Sequence, residues 1–221
     1  MKPVLTVDDL GHTFASGSNT IQVLRDVSMN VNATEMVVIR GASGSGKTTL
    51  LLACGAMQAP TTGNVTVNDQ NVFQLSPASR SQFRAREIGY LFQTLQLIPY
   101  LSLLGNIRIV RGVTTKTAKL WLKKVGLDDR AHHKPEALSH GQRQRAALAR
   151  ALAHRPKLVI ADEPTGNLDP ANAKMVFEAL REFANEGGAV LVATHDDLVQ
   201  SLADRTLQLE SGFLKQTEYA S

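Results

Sequence analysis

EMVVIRGASGSGKTTLLLACGAM, residues 35–57, reads as strand, glycine-rich turn and helix in immediate succession. Its middle, GASGSGKT at Gly41–Thr48, fits G-x-x-x-x-G-K-[ST] at every specified position. The apolar strand before it and the apolar helix after it are the context that pattern needs. Gly41, Gly44 and Gly46 let the backbone curl so that successive N–H groups point inward, and the helix start adds positive potential. Ser43 and Ser45 lie between the glycines and belong to the same phosphate-binding set. Lys47 can reach the β- and γ-phosphates, the Thr48 hydroxyl can ligate Mg2+, and Thr49 can hydrogen-bond phosphate.

KLVIADEP at residues 157–164 is a second apolar strand that ends in acid. Asp162 is placed beside the cradle if this strand neighbours the first, and would then hold the Mg2+ shell. Adjacent residues at a strand end point different ways, so Glu163 can instead face a water, orienting and deprotonating it. His195 closes AVLVATH. As an isolated residue it could simply start a helix. As a third polar group at a strand end it can hydrogen-bond the γ-phosphate and the attacking water, because chemistry in doubly wound sheets gathers at the carboxyl ends of strands. Gln93, in GYLFQT, ends a further strand and can ligate Mg2+ or hold a water, sensing whether the γ-phosphate is present.

Composition narrows the class. With 43% apolar and 20% charged residues over 221 positions, the chain can bury a full core as an ordinary globular protein. The net charge of +4 comes from scattered Lys and Arg, with no dense basic run, so no nucleic-acid partner is expected. Cys54 is the single cysteine, which excludes an internal disulfide and a thiol-rich metal site. The N-terminus lacks an apolar signal core, and no apolar stretch approaches the ~18 residues that span a bilayer. A cytoplasmic location is expected, with any membrane role reached through a partner.

The remaining segments order themselves around the turn. Strands are predicted at VLTVDDL, IQVLRDVSMNV and EIGYLF, and a strand and turn at NVTVNDQNVF. Helical spacing runs from Gln93 to about His154, with helices AKLWLKKVGL and QRQRAALARALA. Then follow strand KLVIAD, helix ANAKMVFEALREFANE, strand AVLVAT, a short helix around DLVQSLAD, and a hairpin RTLQLE/FLKQTE. LQLIPYLSLLGNI, residues 95–107, is apolar without clean periodicity; it reads as a groove for a partner's helix or as core of the helical insert. LSHGQRQRAALARAL, residues 138–152, poses a choice between phosphate and nucleic acid. Arg145 falls nearly opposite Arg143 at ~100° per residue, and alanines and leucines wrap most of the helix, so no cationic stripe forms.

Taken together these residues resemble the nucleotide-binding subunit of an ABC transporter. GASGSGKT resembles the Walker A loop, Gln93 the Q-loop glutamine, LSHGQ the signature, LVIADE the Walker B strand, NLD at Asn167–Asp169 the D-loop, and His195 the switch histidine. Phe14 matches the aromatic that stacks on adenine, with a core Phe as the alternative. IGYLFQTLQLIP and ADEPTGNLDP further resemble the lipoprotein-releasing and macrolide-export subfamily. The resemblance implies an α/β fold: a P-loop NTPase core with a mixed, largely parallel sheet, an N-terminal antiparallel β subdomain and an inserted α-helical subdomain. One ABC ATPase domain would span 1–221, with the core and β subdomain at 1–92 and 155–221 and the signature-bearing helices at 93–154.

The same resemblance implies Mg-dependent ATP hydrolysis with Glu163, His195 and Lys47 as catalytic residues. It implies a head-to-tail homodimer around two ATP, in which Ser139, His140, Gly141, Gln142 and Asp169 reach the partner's nucleotide. A transmembrane permease would complete the transporter, exporting or extracting a lipophilic or peptide-like cargo. A soluble relative acting on DNA or ribosomes would ordinarily carry a coiled-coil insert, zinc modules or a second cassette. Asp169 is also explained as a helix cap before Pro170. The sequence departs from the family pattern at Thr34, at Gly105, in a short segment around RIVRGVTTKTAK, and at His140, where Gly is usual. A left-handed residue 140 would cost about 1 kcal/mol or more as His. The expectation is that residue 140 is helical and carries no such cost.

Overall fold

The computed structural model describes residues 2–17, 19–166 and 168–216. Its strands are β1 (Pro3–Ser16), β2 (Asn19–Asn32), β3 (Met36–Arg40), β4 (Thr62–Val67), β5 (Gln70–Asn71), β6 (Ile88–Leu91), β7 (Leu158–Asp162), β8 (Ala189–Ala193), β9 (Arg205–Glu210) and β10 (Phe213–Gln216). Its helices are α1 (Lys47–Cys54), α2 (Pro77–Glu87), α3 (Leu103–Arg108), α4 (Thr115–Lys124), α5 (His140–Leu152) and α6 (Pro170–Asn185). Two sheets form, an antiparallel one ordered β2-β1-β4-β5 and a central one ordered β10-β9-β3-β8-β7-β6. The central sheet is parallel except where β10 pairs β9. Strands β7 and β8 are buried at every position, as expected of parallel strands covered on both faces.

One apolar cluster joins the antiparallel sheet and α1 to the central sheet, through residues such as Leu5, Leu10, Leu50, Ile39 and Leu191. A second lies on the opposite face, where Val38, Val159 and Val190 meet Leu148, Phe177 and Leu180. A third, smaller one binds α3, α4 and α5 through Leu103, Ile107, Leu122, Ala146 and Ala149. Helix α5 therefore serves two cores, Ala147 and Leu148 on one side and Ala146 and Ala149 on the other. Small alanine side chains let both packings approach closely. Its arginines are tied to backbone carbonyls, Arg143 to Leu138 at 2.8 Å, Arg145 to Val125 at 3.0 Å, and Arg150 to Leu95 at 2.9 Å and Gln96 at 2.6 Å.

Three details differ from the sequence reading. Helix α2 was not expected: it buries only Phe83 and Glu87, so no apolar periodicity announces it. Its true signals are local, a Ser76 cap accepting from the Ser79 amide at 3.2 Å and Pro77 in the first turn. DLVQSLAD forms only a 3-10 turn at Asp197–Val199. The neighbour relation on which Asp162 was placed is also not met, since β8 lies between β3 and β7. The last two residues of FLKQTE lie outside the described residues. Among the described residues no helix is long and apolar enough to cross a membrane.

The LQLIPYLSLLGNI segment divides. Leu103 and Ile107 are fully buried, whereas Tyr100 is 74% exposed. Asn106, fully buried, organises the turn before α3. It accepts from the Ile98 amide at 2.7 Å and donates to the carbonyls of Ile98, Leu101 and Ser102, each at 3.1 Å. Asn106→Ala removes the partner of the Ile98 amide and of the Leu101 carbonyl and opens a small void, whereas the Ile98 and Ser102 carbonyls keep backbone donors, so a loss of about 2–3 kcal/mol of unfolding free energy is expected. A urea titration reads it; a loss below about 0.5 kcal/mol would mean that water substitutes fully for the amide.

Candidate active site

An open cleft of about 700 Å³ lies at the carboxyl ends of β3, β7 and β8. Of the residues expected in it, Phe14, Gly41, Ser43, Gly44, Gly46, Lys47, Thr48, Thr49, Gln93, Asp162, Glu163 and His195 line it together. Val23, Ala42 and Gly166 line it as well, and sequence reading did not single them out. Ser45 is different: its Oγ is enclosed beneath the loop and has no hydrogen-bond partner. Gln93 lies two residues past β6 and is exposed.

The cradle is built by close approach. Gly46 has φ +105°, and a Cβ there would stand 3.0 Å from both the Val23 carbonyl oxygen and a Leu24 methyl. Only glycine lets the loop lean on β2 in this way. Lys47 folds back over the turn, its Nζ donating to the carbonyls of Gly41 at 2.7 Å and Ala42 at 3.0 Å. An anion in the cradle would offer this ammonium stronger acceptors than either carbonyl.

The carboxylates sit in unlike surroundings. Asp162 is buried at the end of β7, within reach of the Thr48 hydroxyl because α1 packs across β7. Burial raises its pKa above the ordinary carboxylate value; the Thr48 bond lowers it, Glu163 raises it and Lys47 lowers it. Glu163 has φ +45°, a left-handed conformation that costs a non-glycine residue about 1 kcal/mol or more. That turn is held by its amide, which donates to Ala193 O at 2.8 Å, and by its carbonyl, which accepts from Gly166 at 3.2 Å. The twist sends Glu163 towards His195, whose Nδ1 lies 2.9 Å from Oε2. The ring N–H is off the line for a well-formed hydrogen bond, so Oε2 is buried without one. A largely buried carboxylate facing an exposed imidazole can take a proton from a water and keep it in contact with a second base.

Two further contacts set this pair. Thr165 Oγ1 donates to Asp196 Oδ2 at 2.9 Å, joining the turn after Glu163 to the turn after His195. Gln144 of α5, buried, donates to the Pro164 carbonyl. Neither shows in the sequence, because each pairs residues far apart in the chain.

The residues expected to act on a partner's nucleotide lie outside this cleft. Ser139 caps α5 in a reciprocal capping box with Gln142, and His140 is the first helical residue, without positive φ. A Cβ on Gly141 would meet the Asn172 amide at 3.3 Å. Asn172 in turn is held by Asp169, which caps α6 by accepting from the Asn172 amide at 3.0 Å. The Asn172 side-chain amide donates to Asp169 Oδ2, and that bond, with the backbone one, lowers the Asp169 pKa. Asn167 lies outside the described residues.

A glycine cradle with a lysine, two strand-end carboxylates and a histidine, on a parallel sheet flanked by an antiparallel one, define a P-loop ATPase. Residues 24–166 match the ABC transporter family profile. The chain is 39% identical to the lipoprotein-releasing system ATP-binding protein LolD of Shewanella denitrificans, over 99% of each sequence. It is 40% identical to LolD of Shewanella oneidensis, over 98% of each. Its fold superposes with a TM-score of 0.90 and 33% identity on the ATP-binding cassette MJ0796, solved as a dimer in a post-hydrolysis state bound to ADP and Pi, covering 98% of this chain and 100% of that one. The chain belongs to the ABC transporter family and is an ATPase of that family.

The residues present fit a nucleotide with Mg2+. Thr48 and Asp162 offer adjacent hard oxygens, and phosphates and waters would complete an octahedral shell. No cluster of three or more acidic, His or Cys ligands occurs among the described residues. The raised Asp162 pKa has a stability consequence. Such a carboxyl holds its proton more tightly folded than unfolded, so its contribution falls as pH rises from the unfolded-state value through the folded one. Asp162→Asn is expected to melt higher than the parent at neutral pH without nucleotide, the gap closing in acid, while losing Mg-dependent hydrolysis. Melting curves across pH test this; a lower melting point at neutral pH would show that the ionised group stabilises the fold.

Proposed function

We propose that this chain is the ATP-hydrolysing subunit of a membrane transporter, closing head-to-tail with a second copy around two ATP molecules. The observation that carries this reading is the division of the site. Cradle, carboxylates and His195 share one cleft, while the LSHGQ helix end and Asp169 sit together on another surface. In this reading the cradle amides and Lys47 bind the phosphates, Phe14 stacks on adenine, and Gln93 senses the γ-phosphate. Glu163 takes the proton of the attacking water, and His195 holds the γ-phosphate. Mg2+, held by Thr48 and, through water, by Asp162, would neutralise charge on the β- and γ-phosphates. Ser139, His140, Gly141, Gln142 and Asp169 would cover the partner's nucleotide.

The work done by closure would pass to a permease. A groove of about 450 Å³ between α2, β6 and the segment after Gln93 is lined by Tyr90, Phe92, Gln96 and Ile109. It has the apolar floor and size for a cytoplasmic helix of such a partner. Arg150 reaches from this groove to the Gln96 carbonyl, linking it to the segment that Gln93 begins. The similarity to LolD proteins supports a peripheral place at the cytoplasmic face of the inner membrane and release of lipoproteins or like cargo.

Glu163→Gln is expected to lower ATP turnover about 100-fold or more while stabilising an ATP-bound dimer. Size-exclusion chromatography with ATP and a phosphate-release assay read both; normal turnover would remove Glu163 as the base. His140 starts a helix and pays no left-handed cost, so His140→Gly is expected to leave turnover within severalfold. A collapse there would make the imidazole a participant.

A further inference from the structure

Phe14 has a second ring behind it. His12, two residues earlier on β1, crosses the Phe14 ring at 71° with the centroids 4.6 Å apart. The two are placed very differently. Phe14 lines the nucleotide cleft and is 41% exposed, whereas His12 is 8% exposed and does not line it. His12 therefore backs the phenyl ring from the protein side. It is itself held: its Nε2 lies 2.7 Å from Nε2 of Gln58. Gln58 follows α1 and is anchored by its amide, which donates to Leu52 O at 3.2 Å. A strut thus runs from the end of the helix that the cradle opens, through Gln58 and His12, to the exposed aromatic. Burial lowers the His12 pKa, which favours the uncharged ring against Phe14.

An exposed phenylalanine near a strand end would ordinarily sample several rotamers, and each alternative is entropy that a stacking base must remove. Edge-to-face contact with an immobilised ring removes it beforehand. We propose that His12 is a positioning residue for the nucleotide base: it fixes the plane of Phe14 so that a purine stacks on it without reordering. The proposal rests on the reading of Phe14 as the base-stacking residue, and its test separates the two.

ATP and inorganic triphosphate, which has no base, are titrated calorimetrically into the full-length protein and its variants. His12→Ala is expected to weaken ATP about three- to tenfold and to leave triphosphate within twofold, with the effect falling on KM rather than kcat. His12→Phe, which keeps a ring against Phe14, is expected to recover most of the affinity. In a Phe14→Ala background His12→Ala is expected to add nothing. If Phe14→Ala leaves ATP binding unchanged, the stacking reading itself fails. If Phe14→Ala weakens ATP and His12→Ala does not, the positioning role alone is overturned. Equal losses of ATP and triphosphate in His12→Ala also overturn it, because the residue would then support the cleft as a whole. Should His12→Ala fail to fold, Gln58→Ala, which releases the His12 ring, reads the same comparison, and no preferential loss of ATP overturns the proposal.

Discussion

The hydrogen bond from the Glu163 amide to the Ala193 carbonyl, 2.8 Å long, is the constraint on which the site depends. It lies just past the last register pair of β7 and β8, Asp162 with Ala193. Within the ladder, alternation points Asp162 down towards Thr48 and the loop. One residue later the bond holds Glu163 in a left-handed turn, which sends its carboxylate to the opposite side, against His195. Adjacent carboxylates thereby acquire separate surroundings without a spacer between them. A slip of one residue in this ladder would exchange their faces. The buried Gln144 bond to Pro164 and the Thr165–Asp196 bond brace the turn from both sides, so the strain at Glu163 is borne by neighbours rather than by the ladder alone.

Helix α5 carries a different constraint. It is packed on both sides by separate cores, and its arginines are bonded to carbonyls at the ends of other segments. Its arginine-rich sequence is thus a set of internal ties, and its alanines are what allow two close packings at once. The capping box satisfies the Ser139 and Gln142 amides. By position that leaves the amides of His140 and Gly141 without an intrahelical partner, at the end where the helix dipole favours an anion. The unusual histidine is compatible with this because it stands where a helix, not a left-handed turn, begins.

What could be read from the sequence followed from how local its cause was. The cradle is legible because glycine spacing, Lys47 and the flanking apolar runs all act within a few residues. The buried strands are legible as continuous apolar runs. The order of parallel strands is not, since it depends on crossovers between distant segments; hence Asp162 reaches the loop through α1 rather than from a neighbouring strand. Helix α2 escaped because its signals are caps rather than periodicity. Phe14 entered only through the family resemblance, with a core Phe as the alternative; the fold shows it exposed and backed by His12, which no local pattern announces because Gln58 comes from the segment after α1. The ties at Gln144, Thr165 and Asp196 are likewise products of tertiary contact, carrying no local pattern.

These constraints bear on why one copy of the chain is insufficient in the proposed cycle. For LSHGQ to meet the nucleotide in its own cleft, α5 would have to leave two cores and release Arg145 and Arg150 from their carbonyls. Its N-terminal end is also packed against Asn172, which Asp169 fixes at the head of α6. Such a rearrangement would expose apolar surface on both sides of the helix, a cost no single phosphate contact offsets. A second copy meets the same need as a rigid body, with α5 left in place. In the proposed dimer the amides of His140 and Gly141 would then face a phosphate brought by another chain, while the Gln144 bond to Pro164 ties α5 to the turn beside Glu163 of its own chain.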